Sequence, residues 1–204
     1  MTKTKLPARP EQLSHYPDTS PRSLAKELTA LDPHCTKFIA LAPFCVLASA
    51  DTDASPDLSP RGGAPGFATV IDANTILLPD RPGNNRLDNL GNLARNPKIA
   101  LIFMIPGVNE TLRIKGRVSL VTDPAKLARF AEQGTAPRSM LRITIDRVFL
   151  HCAKALMRSK LWHPDAIVDR SVLPTMGKMI KDQTNAPEPA ETQDAMEKRY
   201  RNTL

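Results

Sequence analysis

Cysteine is scarce in this chain of 204 residues, and that already excludes a disulfide scaffold. The three cysteines, Cys35, Cys45 and Cys152, are odd in number and form no C-x-x-C pair, so neither a zinc ribbon nor a thioredoxin-like motif is present. Aromatic residues are few, with one Trp, two Tyr and six Phe. Trp162 and the tyrosines do not interleave with the basic strands, so the stacking platforms of a single-strand nucleic-acid binder are missing. No apolar run of about 18 residues occurs, and the start MTKTKLPARPEQ lacks an apolar h-region, so a soluble cytoplasmic protein with no membrane partner is expected. The chain also lacks G-x-G-x-x-G, G-K-[ST], G-x-S-x-G and H-E-x-x-H. The four histidines are scattered, and adjacent His151 and Cys152 point to opposite faces of a strand, so no metal site is expected.

Proline is abundant by contrast, at 19 residues or roughly twice average usage, and marks many of the joints between elements. Lys plus Arg number 28 against 21 Asp plus Glu, a net charge of +7, which asks for an anionic ligand or an anionic macromolecule. The segment 181–204 holds four basic and five acidic residues, so the excess lies in the body. Residues 1–19 are polar and without period, an expected loose arm; 20–180 form one domain, and 181–204 a polar tail.

Ser20-Pro21 and Asp32-Pro33 each combine an N-cap with proline at the first helical position, so two small helices should precede the first strand. Apolar or alternating runs at 44–50, 57–63, 67–71, 75–78, 98–105, 111–121 and 142–150 read as short strands joined mostly by tight turns. Helices are expected at 85–95, from 124 to about 133, and at 154–162. In 111–121, Leu112, Ile114 and Val118 alternate with Arg113, Lys115 and Arg117, giving one apolar and one cationic face. Such strands with helices outside them favour a small antiparallel barrel over a parallel sheet, which needs a crossover helix between neighbouring strands.

Three segments set arginine beside glycine or a hydroxyl residue: Ser59-Pro60-Arg61-Gly62-Gly63, the loop 79–86 (PDRPGNNR), and Thr111-Leu112-Arg113-Ile114-Lys115-Gly116. Glycine lets a planar ligand approach the backbone, and a guanidinium pairs bidentately with phosphate. A loop that turns into a helix start adds unpaired N–H groups. Arg61, Arg86 and Arg113 are therefore expected to converge on one rim around a phosphate-anchored cofactor.

In order along the chain, SPRGG, LLPDRPGNNRLDNLxNLxxNP, ETLRIKGR and HCAKALxRSxLW resemble the pyridoxamine 5'-phosphate oxidase-like flavoproteins of the FMN-binding split-barrel superfamily, over roughly residues 36–165. The resemblance implies a mainly β fold with peripheral helices, a six-stranded antiparallel split β-barrel, and a homodimer with FMN at the subunit interface. It implies that Ser59, Pro60, Arg61 and Gly62 line the isoalloxazine, that Pro79, Asp80 and Arg81 lie beside it, and that Asn85 and Arg86 hold the phosphate. Thr111 and Arg113 would reach the same phosphate, while Lys154, Ser159 and Trp162 would serve the other subunit's site. DLSPRG stands where the vitamin-oxidising members carry Arg-x-x-Leu-Leu-Lys, so vitamin B6 oxidation is not expected.

The activity implied is an FMN-dependent oxidoreductase passing hydride through flavin N5 to or from a small molecule. No paired carboxylates or His–Asp arrangement are visible, so no general acid or base is assigned. The alternatives are a flavin- or haem-binding protein without turnover and, from net charge alone, a basic nucleic-acid-binding protein.

Overall fold

The computed structural model describes residues 10–132 and 135–202. The proposed arm lies outside these residues up to position 9; from 10 to 19 it is exposed, with one turn of 3-10 helix at Glu11–Leu13. Two proline-led helices, α1 (Pro21–Ala25) and α2 (Pro33–Leu41), start where expected. The Ser20 hydroxyl accepts from Ser23 N at 3.2 Å and Asp32 Oδ1 from Cys35 N at 2.7 Å, so each cap satisfies an orphan donor. α2 buries Cys35, Phe38 and Ile39.

Seven strands follow: β1 (Phe44–Ala50), β2 (Pro56–Gly62), β3 (Thr69–Asp72), β4 (Thr75–Asp80), β5 (Lys98–Met104), β6 (Thr111–Val121) and β7 (Ser139–His151). They pair antiparallel in the order β2-β1-β5-β6-β7-β4-β3, a mainly β split barrel with peripheral helices. The implied six strands become seven. β2 is a full partner of β1 despite Pro60, because an edge strand tolerates a residue without an N–H.

β7 serves both halves of the sheet. Its residues 139–144 pair with β4 and its length from Met140 onward pairs with β6. It begins at Ser139, three residues before the expected start, because β4 supplies a partner there. Where β4 stops, Leu28 takes its place, exchanging backbone hydrogen bonds with Val148 at 2.9 and 2.8 Å. The register of β6 on β7 shifts at Lys115/Gly116, and a Cβ on Gly116 would lie 2.3 Å from Thr144 O. Only glycine permits that approach. The expected alternation in β6 is present: Leu112, Ile114 and Val118 are buried with Leu47, Ile76, Phe103, Ile143 and Val148, and Lys115 and Arg117 face out.

The helices depart further from expectation. α3 (Asp88–Arg95) starts three residues late, since Asn85 has φ +58°, outside the right-handed helical region. α4 (Pro124–Ala128) is a single turn and a half. α5 (Lys154–Ser159) ends at Lys160, whose φ of +52° stops it before Trp162. Helix α6 (Met176–Thr184) crosses the expected boundary at 180/181, and α7 (Gln193–Arg201) lies within the region expected to be a polar tail. Gly177 on α6 lies against the residues just before α7, where a Cβ would be 2.2 Å from Glu191 O, and Met196 on α7 is buried. No helix among the described residues is long and apolar enough to cross a membrane.

Candidate functional site

A cleft of about 350 Å³ opens where β2 passes the end of β4. β2 lines it with Ser59, Pro60, Arg61 and Gly62, β4 with Pro79 and Asp80, the loop before α3 with residues 81–87, and the entry to β7 with Arg138. Four guanidinium groups thus face a lining with one carboxylate, Asp80. The electrostatics favour an anion.

Arg61 NH1 donates to Asp80 Oδ1 at 2.6 Å, tying two strands that do not pair with each other. Arg61 Nε and Arg81 Nε are buried with no hydrogen-bond partner, two N–H donors left over for a ligand. Arg81 is further held by an ion pair with Glu132 and by Phe130 O at 3.4 Å. Asn85 takes its left-handed backbone with its Oδ1 accepting from Arg138 NH1 at 2.5 Å, while Arg138 N donates to Asp80 O at 2.9 Å. The loop, β4 and β7 are so joined at one corner. Arg86 N donates to Asn84 Oδ1 at 3.0 Å, and its side chain, 80% exposed, donates from Nε to Asp88 at 2.6 Å. That hydrogen bond raises the pKa of Arg86, with the Asp88 charge adding to it.

Of the residues singled out in the sequence, Ser59, Pro60, Arg61, Gly62, Pro79, Asp80, Arg81, Asn85 and Arg86 lie together in this cleft. Arg113 does not. β1 and β5 separate β6 from β2, and Arg113 points to the outer side of the sheet, 5.3 Å from the ring centroid of Phe149. There it lines a separate apolar groove of about 260 Å³ with Val46, Ala48, Leu58, Ala100, Ile102 and His151. The expected rim of Arg61, Arg86 and Arg113 is corrected to Arg61, Arg81, Arg86 and Arg138.

Thr111 is buried opposite His151, its hydroxyl without a partner. Ser159 Oγ donates to Leu156 O within its own helix at 3.1 Å, and Trp162 Nε1 donates to Val108 O at 2.9 Å, tying the end of that segment to the β5–β6 loop. Lys154 opens α5. None of these four lines the cleft.

Arg138 was missed by sequence reasoning. Its local signal is only a proline before a strand, and its place beside Asp80 depends on β4 pairing with β7. Cys45, opposite Arg61 in the β1–β2 register, is no nucleophile: burial pushes its thiol up to about 12, against a smaller lowering by Arg61. Among the described residues no three His, Cys, Asp or Glu side chains gather as a metal site requires.

The family model described as Pyridoxamine 5'-phosphate oxidase matches residues 31–152. Similar solved structures include HupZ from Group A Streptococcus, with 19% identity over 59% of this chain and 93% of that chain and a TM-score of 0.46. An FMN-binding protein from Syntrophomonas wolfei is 11% identical over 56% of this chain and 81% of that one, with a TM-score of 0.46. A protein from Clostridium acetobutylicum related to general stress protein 26, of the pyridoxinephosphate oxidase family, is 13% identical over 58% and 85%, with a TM-score of 0.44. No curated protein matches. Because the family match spans more than half of the chain and takes in all seven strands, the chain belongs to the pyridoxamine 5'-phosphate oxidase family.

Proposed function

We propose that this protein is an FMN-dependent oxidoreductase that holds its cofactor in the cationic cleft. The observation that carries the reading is the gathering of Arg61, Arg81, Arg86 and Arg138 from three separate stretches of chain around one opening. The two buried guanidinium N–H groups without partners fit an anionic, hydrogen-bond-accepting ligand.

In this reading Asn85, Arg86 and Arg138 hold the phosphate at the corner their hydrogen bonds build. Ser59, Pro60, Arg61 and Gly62 lie along the ring system, with Pro79, Asp80 and Arg81 beside it. Bound FMN supplies hydride transfer through its N5, to or from a small molecule. Arg61, already oriented by Asp80, stabilises negative charge as the ring is reduced. Asp80 is engaged by that pair rather than free to move a proton, and this favours flavin binding without turnover as the second reading.

The outer groove is the surface proposed for a second copy. Its floor is apolar and Leu58 on its wall is 68% exposed. Arg113, Lys154, Ser159 and Trp162, which lie off their own chain's cleft, are proposed to serve the partner's.

The reading is tested by the absorption spectrum of the purified protein and by titration with FMN and riboflavin. A flavin spectrum, or FMN binding tighter than riboflavin, is expected; absence of both overturns it. Stopped-flow mixing with NADH or NADPH separates the two readings. Reduction of bound flavin followed by reoxidation with an acceptor supports the enzyme, and resistance to both donors supports the binding protein.

A further inference from the structure

α3 is seated on the sheet by polar contacts that the cleft itself does not use. Ser49 on β1 and Asn89 and Asn92 on α3 are all buried, with exposures of 5%, 5% and 9%. Asn89 Nδ2 donates to Ser49 Oγ at 2.8 Å and Asn92 Nδ2 to the same oxygen at 3.4 Å. Arg95 NH2 donates to Asn92 Oδ1 at 3.2 Å, and Asn96 Nδ2 reaches Asp51 O at 3.4 Å. The apolar share of this seat is Leu93 in the core and Leu90 packed against it.

We propose that Ser49, through Asn89 and Asn92, is a positioning residue for the phosphate-binding loop. Apolar contact is non-directional and tolerates a small rotation of a helix. Two amides aimed at one hydroxyl do not, because a rotation leaves buried donors unsatisfied. The N-cap of α3, Leu87, makes no side-chain cap bond, so the start of the helix is located from its buried face. That start directly follows Asn85 and Arg86. The hydroxyl of Ser49 therefore fixes the helix side of the loop, as the Arg138–Asn85 hydrogen bond fixes its strand side, and so helps set where both residues meet a phosphate without touching it. The inference rests on the FMN reading of the cleft.

The test compares FMN with riboflavin, which lacks the phosphate, on wild type, Ser49→Ala, Asn89→Ala, the double variant and Ser49→Thr, with circular dichroism as the folding control. Wild type should prefer FMN. Ser49→Ala and Asn89→Ala should each weaken FMN about tenfold or more while riboflavin stays within about twofold, a difference of one decade in affinity. The double variant should be no weaker than Ser49→Ala, since the contact that Asn89→Ala removes is already lost in it. Ser49→Thr, which keeps the hydroxyl, should restore most of the loss. Unchanged FMN affinity in folded Ser49→Ala and Asn89→Ala overturns the proposal, as does an equal loss of both flavins or failure of both variants to fold. A wild type that binds neither flavin overturns the FMN reading and this inference together, whereas a wild type that prefers FMN beside indifferent variants overturns this inference alone.

Discussion

Arg61 and Asp80 meet at 2.6 Å from β2, at one end of the sheet order, and β4, next to last at the other, with side chains only 18% and 13% exposed. The pair closes the opening that the split barrel leaves between β2 and β4. Asp80→Ala strands Arg61 half-buried with Nε already unpartnered, and should cost about 1–3 kcal/mol, the range for a polar group left unsatisfied. Asp80→Asn keeps an acceptor and should cost less. At this chain length each kcal/mol lowers Tm by about 2–4 °C. Thermal melts showing both variants level with wild type would mean that the pair does not hold the opening shut.

Arg86 contrasts with Arg61. It is 80% exposed and its partner Asp88 is local, so its removal should leave folding stability untouched. Arg86→Ala should weaken FMN about tenfold or more by deleting a charge-assisted contact. Riboflavin affinity should hold, and the salt dependence of FMN binding should flatten. Isothermal titration at two salt concentrations reads both effects, and an FMN affinity equal to wild type would remove Arg86 from the phosphate site.

What could be read before the fold was known follows from the range of each interaction. β1, β5 and β6 declared themselves because their apolar or alternating runs are local, and Ser20 and Asp32 because a cap bonds within three residues. The loop 79–86 was legible as a segment for the same reason. Arg138 was not, because only the β4–β7 pairing sets it beside Asp80 and Asn85. Arg113 went to the wrong rim because strand periodicity tells which face a side chain takes, but not which strands lie between it and β2. α6 and α7 escaped because their seat is a close approach of Gly177 to Glu191, with little hydrophobic pattern to signal it.

His151 makes the outer groove sensitive to pH. Burial, then the charges of Arg113 and Lys26, lower its pKa below the ordinary 6.5. Below about pH 6.5 the unfolded chain takes up a proton at this site that the folded one refuses, so folding stability falls as pH drops until the depressed folded value is passed. Above 6.5 both states are neutral there and the contribution is constant. His151→Gln should flatten stability across this acidic window and leave it unchanged at pH 8. Chemical denaturation at several pH values, at one protein concentration, measures this, and an unaltered slope in the variant would place the sensitivity elsewhere.

Neighbouring faces of β6 give the sharpest test of its register. Val118 is 9% exposed on the core side, whereas Lys115 lies on the exposed cationic face opposite Arg147. Val118→Asp forces a carboxylate into the apolar core opposite Ile143, at a cost of about 3 kcal/mol or more unless it takes up a proton. Lys115→Asp puts the same carboxylate in water beside a guanidinium, where it should change stability by no more than about 0.5 kcal/mol. The same carboxylate introduced three residues apart should therefore give opposite outcomes in urea unfolding. A one-residue slip of β6 would exchange them, exposing the apolar set and burying the cationic one. Comparable losses in the two variants would show that the strand does not hold the register on which the separation of cleft and outer groove depends.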